Sequence, residues 1–283
     1  MNNAFAVSVI IPACNEERHI QGCLQSILAQ VDLSGADLQV VVSANGCTDK
    51  TVEIAQGFAP LFAVRGWDFS VIETPVGSKV GALNMADARA RFPARAYVDA
   101  DIRLDIDLLR KVLDSLEPAE PRYVTGRMKL ARSRSWVSRF YGALWLQLPF
   151  MRPGTAPGAG FFAVNPAGRA RWGAFPDVVA DDGYVRWHFA PEERFEVDAG
   201  FQWPLVEGFA ALVRVRRRQD LGGKQLKILY PELVRNEGKP GVSLSEHFRL
   251  ALSMPLSYVI YVAVQIMVRL GSSDDKGWVR GPR

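Results

Sequence analysis

A chain of 283 residues with 48% hydrophobic and 23% charged composition can bury a large core, which argues against a disordered polypeptide. Its formal net charge of +4 is too mild to mark a nucleic-acid binder, and no RNA- or DNA-binding motif is present; it suits acidic ligands or an anionic membrane surface. Cys14, Cys23 and Cys47 lack CxxC spacing, which argues against a disulfide framework or a zinc site and fits a reducing compartment.

The first apolar run, "FAVSVIIPA" (5–13), is not preceded by a basic stretch, so no signal peptide is expected. Its β-branched residues predict a buried parallel strand stopped by Pro12. In "NEERHIQGCLQSILAQ", Ile20, Cys23, Leu24, Ile27 and Leu28 recur at helical spacing, with Asn15 expected as the N-cap. "DLQVVVSANG" predicts a second strand, "TDKTVEIAQGFA" a helix capped by Thr48, and "FSVIETP" a third strand. "KVGALNMADARARF" predicts a third helix and "ARAYVDAD" a fourth strand, with Asp105 and Asp107 opening the next helix. This alternation implies an α/β fold, a Rossmann-like, mostly parallel sheet flanked by helices. Ligands of such sheets bind outside the carboxyl ends of the strands, so "PACNEE", "SANGCTD", "TPVGSK" and "DAD" should line one crevice.

Further on, "YVTGRMKLA", "FFAV", "RFEVDAG" and "ALVRVRRRQ" read as strands. "SWVSRFYGALWLQLPFM" reads as an aromatic helix, and "ADDGYVRW" as a helix opening on two acids. Between Arg249 and Arg269 the chain holds no charge and is expected as one apolar helix. Its length approaches a membrane span, while Pro255 and Gln265 favour surface docking over spanning.

Two carboxylates on one side of a strand end, Asp99 and Asp101, can hold a hard divalent cation; solvated acids opening a helix fit three residues equally well. Lys79 can meet phosphate or be an ordinary helix-start lysine. Asn45 and Asp49 can bind a base or ribose, or form a turn. Asp181 and Asp182 suit a general base or simply the first turn of a helix. Arg214, Arg216 and Arg218 would share one strand face, either over a diphosphate or as a basic edge. His19, His188 and His247 are scattered and read as structural. Neither GxGxxG nor a P-loop is present, so phosphate must be handled by side chains and metal.

The series "VSVIIPACNEERHIQGCLQSILAQ", "VVVSANGCTDKTVEIA", "GSKVGALN" and "YVDAD" strongly resembles a family 2 glycosyltransferase with a GT-A fold. "GFFAVNPAGRARWGAFPDVVADD" resembles that family's acceptor-side segment, and the likeness spans roughly residues 5–220. The resemblance implies inverting transfer from a nucleotide-diphospho-sugar of the UDP or GDP type to a sugar or lipid-linked acceptor. It implies Mg or Mn at Asp101 and Asp99, with Ala100 between them at the nucleotide. Pro12, Ala13, Asn15 and Glu16 would frame the base and ribose, and Lys79 would lie near the ribose or phosphates. Asp182 would be the catalytic base and Asp181 its support. Ala44 and Asn45 stand where the family usually carries acids, and "DD" replaces its ED motif. A QxxRW motif is not cleanly present, which disfavours a processive synthase.

The expected organisation is a glycosyltransferase domain over 1–235, with a donor half to about 105 and an acceptor half to about 235. A C-terminal apolar segment would follow over 236–283. The expected location is cytoplasmic, free or at the inner membrane face. Two other readings are a nucleotidyltransferase, against which the acidic "PACNEE" speaks, and a non-catalytic nucleotide-sugar-binding relative.

Overall fold

The computed structural model describes residues 6–33 and 35–271; Phe5 of the expected first strand and the tail from 272 lie outside the described residues. The donor half comprises β1 (Ala6–Ala13), α1 (Ile20–Leu28), β2 (Asp37–Asn45), α2 (Thr51–Gln56), α3 (Ala59–Val64), β3 (Asp68–Thr74), α4 (Lys79–Arg89) and β4 (Ala94–Val98). It is followed by β5 (Arg103–Leu104), α5 (Leu108–Leu116), β6 (Tyr123–Leu130), α6 (Trp136–Trp145), β7 (Phe161–Val164), α7 (Pro166–Arg169) and α8 (Asp181–Trp187). The chain continues through β8 (Arg194–Trp203), α9 (Phe209–Leu229), α10 (Leu244–Ser253) and α11 (Pro255–Leu270).

All strands join one sheet in the order β3-β2-β1-β4-β7-β6-β8-β5. β1 pairs in parallel with β2 and β4, and β2 with β3; β7 lies antiparallel to β4 and β6. The period-two pleat of β1 separates two cores. Val7, Val9 and Ile11 pack on Ile20, Leu24 and Ile27 of α1, whereas Ile10 packs with Leu83 and Ala86 of α4. Burial on both faces explains the unbroken apolar run. Ser8 is tolerated there because it donates to Gln39 Oε1 at 2.8 Å and accepts from the Phe92 N–H at 3.1 Å. The chain leaves β1 towards β2 and β3, then returns to place β4 on the other side. The strand order therefore reverses between β1 and β4, and their carboxyl ends open the crevice there.

Several expectations are corrected. Helix α1 begins at Ile20, not after Asn15; Asn15 takes a left-handed conformation (φ 53°) and accepts from the Thr48 N–H instead of capping. Thr48 does not cap α2. The N-cap is Lys50, with no capping side chain, and Asp49 just before it accepts from the Thr51 N–H at 3.0 Å. β4 ends at Val98, so "DAD" is not extended chain; it lies in a turn closed by the Ile102 N–H on the Asp99 carbonyl at 3.0 Å. Asp107 precedes α5, whereas Asp105 accepts from the Gly200 N–H and pairs with Lys129.

"ALVRVRRRQ" is helix, not strand. The Val/Arg alternation has period two, but Leu212, Val215, Gly222 and Leu226 follow a three-four spacing inward, and Arg, Leu, Gln and Lys favour helix. The alternating arginine row is therefore undone. The C-terminal apolar stretch is likewise two helices rather than one. Pro255 lacks an N–H and cannot continue α10, so it starts α11 at its first turn. No helix among the described residues is long and apolar enough to cross a membrane. Ile260 and Val264 of α11 pack with Tyr141 of α6 and Leu212 of α9.

One glycine secures the turn carrying Asp99. The Gly160 carbonyl accepts from the Asp99 N–H at 2.9 Å, and Gly160 has φ 81°. A Cβ there would approach Ile102 Cδ1 to 2.8 Å and Trp203 Cδ1 to 2.9 Å. Gly160→Ala is expected to lower stability by about 1–3 kcal/mol, read as a fall in denaturation midpoint.

Candidate active site

The loops after β1, β2 and β4 and the start of α4 converge as the reversal of strand order requires. Pro12, Ala13, Glu16, Asn45, Lys79, Asp99, Ala100, Asp101 and Arg218 line a narrow cleft of about 70 Å³. Glu16 and Asp101 are buried in it. Asn45 is also buried, and its amide is engaged at both ends. It donates to the Ala13 carbonyl and accepts from the Ser78 N–H, each at 2.8 Å, tying the β1 end to the α4 start. Asn15, expected to frame the ligand, is exposed and does not line the cleft; it joins the first loop to Thr48. Asp49 also accepts from the Glu17 N–H at 3.0 Å and so ties the same loops.

Lys79 is the first residue of α4, and the Ser78 side chain caps that helix by accepting from the Gly81 N–H at 3.0 Å. This places the ammonium between two acids from distant parts of the chain, 3.0 Å from Asp99 and 3.1 Å from Asp181. Burial works against the ammonium, but Asp181 and Asp99 more than offset it, so Lys79 stays protonated well beyond the usual lysine range. Burial pushes the Asp181 carboxyl up to about 6, opposed by Lys79 and reinforced by Asp182 and Asp99. Asp182 is half-buried, and its carboxylate accepts from its neighbour, the Gly183 N–H, at 2.7 Å.

The raised Asp181 pKa has a consequence for stability. An acid whose native pKa lies above its unfolded value binds extra protons when folded. Its contribution to stability therefore falls as pH climbs from about 4 to about 6. Asp181→Asn removes that component, so the variant's melting temperature should gain on the wild type's across this window. A difference independent of pH would contradict the assignment.

A wider cleft of about 350 Å³ adjoins the first and shares Lys79, Asp99 and Arg218 with it. Asp181, Asp182, Arg186 and Arg216 line it, together with apolar walls that include the stacked pair Trp145 and Trp203. Arg216 reaches this cleft but not the narrow one, and its guanidinium is paired with Asp220 at 2.7 Å. Arg186, Lys239, Phe150, Tyr261 and Gln265 also line it and escape a reading of the sequence. Only Arg186 leaves a signal there, four residues after Asp182 on one helix.

The arrangement can hold an anion beside paired acids and offers a second, partly apolar site next to a carboxylate. The model of the family described as glycosyl transferase family 2 matches residues 8–152. Glycosyltransferase AglD of Haloferax volcanii is 28% identical over 148 residues, 49% of this chain and 23% of AglD, so the chain spans under a quarter of that relative. Among solved structures, mannosyltransferase PcManGT from Pyrobaculum calidifontis, in complex with GDP-Man and Mn2+, shares the fold with TM-score 0.61 at 20% identity, over 94% of this chain and 76% of that one. S. aureus TarS in complex with UDP does so with TM-score 0.53 at 14% identity, over 95% and 92%. These structures share the mostly parallel, helix-flanked sheet of the GT-A type. With the match covering just over half of its residues, from β1 to the segment after α6, the chain belongs to glycosyl transferase family 2.

Proposed function

We propose that this chain moves a sugar from a UDP- or GDP-linked donor to a hydroxyl of a sugar or lipid-linked acceptor, by one displacement that inverts the anomeric centre. The observation that carries this is Lys79, which bridges Asp99 of the narrow cleft and Asp181 of the wide one. A diphosphate site and an acceptor site thus meet at one fixed positive charge. Asp182 takes the proton of the acceptor hydroxyl; the acceptor oxygen bonds to the anomeric carbon, and the diphosphate leaves with the electron pair. Asp181 anchors the pair through Lys79. Lys79 and Arg218 face the leaving group, Arg216 stands beside them, and Pro12, Ala13, Asn15, Glu16, Asn45 and Ala100 shape the nucleotide side.

Asp99 and Asp101 form an all-oxygen donor set that fits Mg or Mn. Among the described residues no three His, Cys, Asp or Glu side chains converge to hold an ion. The cation would therefore be completed by water and donor phosphate oxygens, as Mg usually is. When bound, it would neutralise charge on the departing diphosphate. Relatives of this fold in complex with GDP-Man and Mn2+, and with UDP, support the donor class. We keep a donor half to about residue 105 and an acceptor half to about 235 as part of this reading, with Lys239, Tyr261 and Gln265 adding to the wide cleft from beyond it. Because a QxxRW motif is not cleanly present, we read transfer as non-processive.

The segment after 235 supports contact with a membrane surface at its cytoplasmic face. The outward side of α11 carries Leu256, Val259, Ile266, Met267 and Leu270, all exposed, where a surface helix normally carries polar residues. On α10, Leu244, Phe248 and Leu252 form a second exposed stripe, and exposed Trp136 and Phe140 lie on α6, against which α11 packs. Exposed Arg132, Arg134, Arg139, Arg249 and Arg269 suit anionic lipid. Val259→Ser with Ile266→Ser should lower co-sedimentation with phosphatidylglycerol vesicles by roughly tenfold and leave the melting temperature unchanged. Undiminished co-sedimentation would remove α11 from the contact.

Thermal shifts with a panel of UDP- and GDP-sugars, with and without Mn, identify the donor by mass action. Proton NMR of the product then reads the anomeric configuration. Retention of configuration, or stabilisation by no donor, would overturn the proposal.

A further inference from the structure

We propose that the acceptor bears a phosphate group, held between Arg186 and Lys239 beside Phe150; this rests on the glycosyl-transfer reading above. Arg186 lies one turn beyond Asp182 on α8, so both present to the same face and line the wide cleft. It is 4% exposed. Its guanidinium donates to three carbonyls, those of Ala156 at 3.0 Å, Glu237 at 2.7 Å and Thr155 at 3.1 Å. Those bonds fix the fork in place but bring no counter-charge. The Glu237 carboxylate is taken by Lys227 at 3.0 Å and Asp220 by Arg216 at 2.7 Å.

A second buried guanidinium deepens the imbalance. Arg194 also donates only to carbonyls, those of Phe189, Asn236 and Glu237. Burial and then the nearby Arg186 charge push it down to about 10. Asp182 and Glu237 act on the Arg186 charge without forming an ion pair with it. A buried cation without a direct ion pair is costly, and an anionic ligand is the compensation such a site invites.

Lys239 supplies a second cation in the same cleft. Its ammonium and the Arg186 guanidinium carbon each lie 5.1 Å from the Phe150 ring centroid, so they are at most twice that distance apart. Lys239 is exposed as a residue, but partial desolvation of its ammonium, followed by Arg216, lowers its pKa, as expected of an amine beside other cations. A fixed guanidinium fork and an ammonium lining the same cleft suit a tetrahedral phosphate. Neither residue lines the narrow cleft, where Asp101 and the nucleotide side lie, and the donor-saturated titration below separates their ligand from the donor's diphosphate. The aromatic walls beside them fit an acceptor that is apolar beyond its phosphate.

The test uses the full chain with its donor site saturated by UDP or GDP and Mn, and titrates inorganic phosphate, hexyl phosphate and hexanol by calorimetry. Both phosphates should bind and hexanol should not. Lys239→Gln and Arg186→Gln should each weaken phosphate binding by about tenfold or more, with nucleoside diphosphate affinity unchanged. Hexyl phosphate binding more tightly than inorganic phosphate marks a lipid-borne source; equal affinity marks a water-soluble phosphorylated acceptor. Lys239 is exposed, so Lys239→Gln decides the matter even where Arg186→Gln fails to fold. No phosphate binding with the donor site filled, or binding that survives substitution, overturns the proposal. Failure of wild-type protein to bind either nucleoside diphosphate would overturn the glycosyl-transfer reading itself.

Discussion

Asp182→Asn is expected to slow transfer by about 10²–10⁴-fold while leaving donor binding at the wild-type level. The two acids of the "DD" pair differ in what surrounds them. Asp181 is buried and ion-paired to Lys79, and its carboxyl is pushed up to about 6 by burial. Asp182 lines the wide cleft, and its carboxylate accepts from the adjacent Gly183 N–H at 2.7 Å. An asparagine keeps that bond and the side-chain shape but cannot take a proton. Asp181→Asn, in contrast, removes one of the two acids that position Lys79, so its main effect should fall on donor affinity. The two variants therefore separate base from anchor when donor affinity and single-turnover rate are measured on both. Full turnover by Asp182→Asn, with loss of the chemical step in Asp181→Asn, would move the base role to Asp181.

The donor side was largely legible in the sequence because its signals are local. A buried parallel strand needs a β-branched run, and the loop after it must carry the polar residues that meet a ligand. Hence Pro12, Glu16, Lys79, Asp99 and Asp101 could be assigned to one crevice, where the fold places them. Orientation within that crevice was not legible. The sequence suggested Asp99 and Asp101 as alternating positions of a strand, yet a turn closed on the Asp99 carbonyl brings them together. Asn45 read equally as a ligand group or a turn former, and its amide bonds to the Ala13 carbonyl and the Ser78 N–H.

The wide cleft was mostly illegible because helices from distant segments build it. Tyr261 and Gln265 lie on α11 and Lys239 on the connection before α10, and no spacing rule links them to Asp182. The period-two pattern of "RVRRR" also competed with the three-four pattern around it, and packing against α6 and α11 decided for helix.

Asp101→Ala is expected to weaken Mn-dependent donor binding by at least about 10- to 100-fold, since groups that merely orient a metal ligand already cost that much. Asp101 is the cleaner of the two acids to remove. Asp99 is 3.0 Å from Lys79, so deleting it would also release the lysine that holds Asp181 and mix the two sites. Asp101 lies buried in the narrow cleft beside Glu16 and Ala100, away from the wide cleft that Asp99 shares. The readout is the thermal shift given by a saturating nucleotide-sugar, with and without Mn. In wild type the cation should enlarge the shift, and in Asp101→Ala that enlargement should vanish while the small metal-free shift persists. Lys79 and Arg218 remain in the variant to hold the diphosphate, which is why the metal-free shift should survive. Equal loss with and without Mn would instead give Asp101 a role in shaping the turn between β4 and β5, and would leave the metal site without its principal ligand.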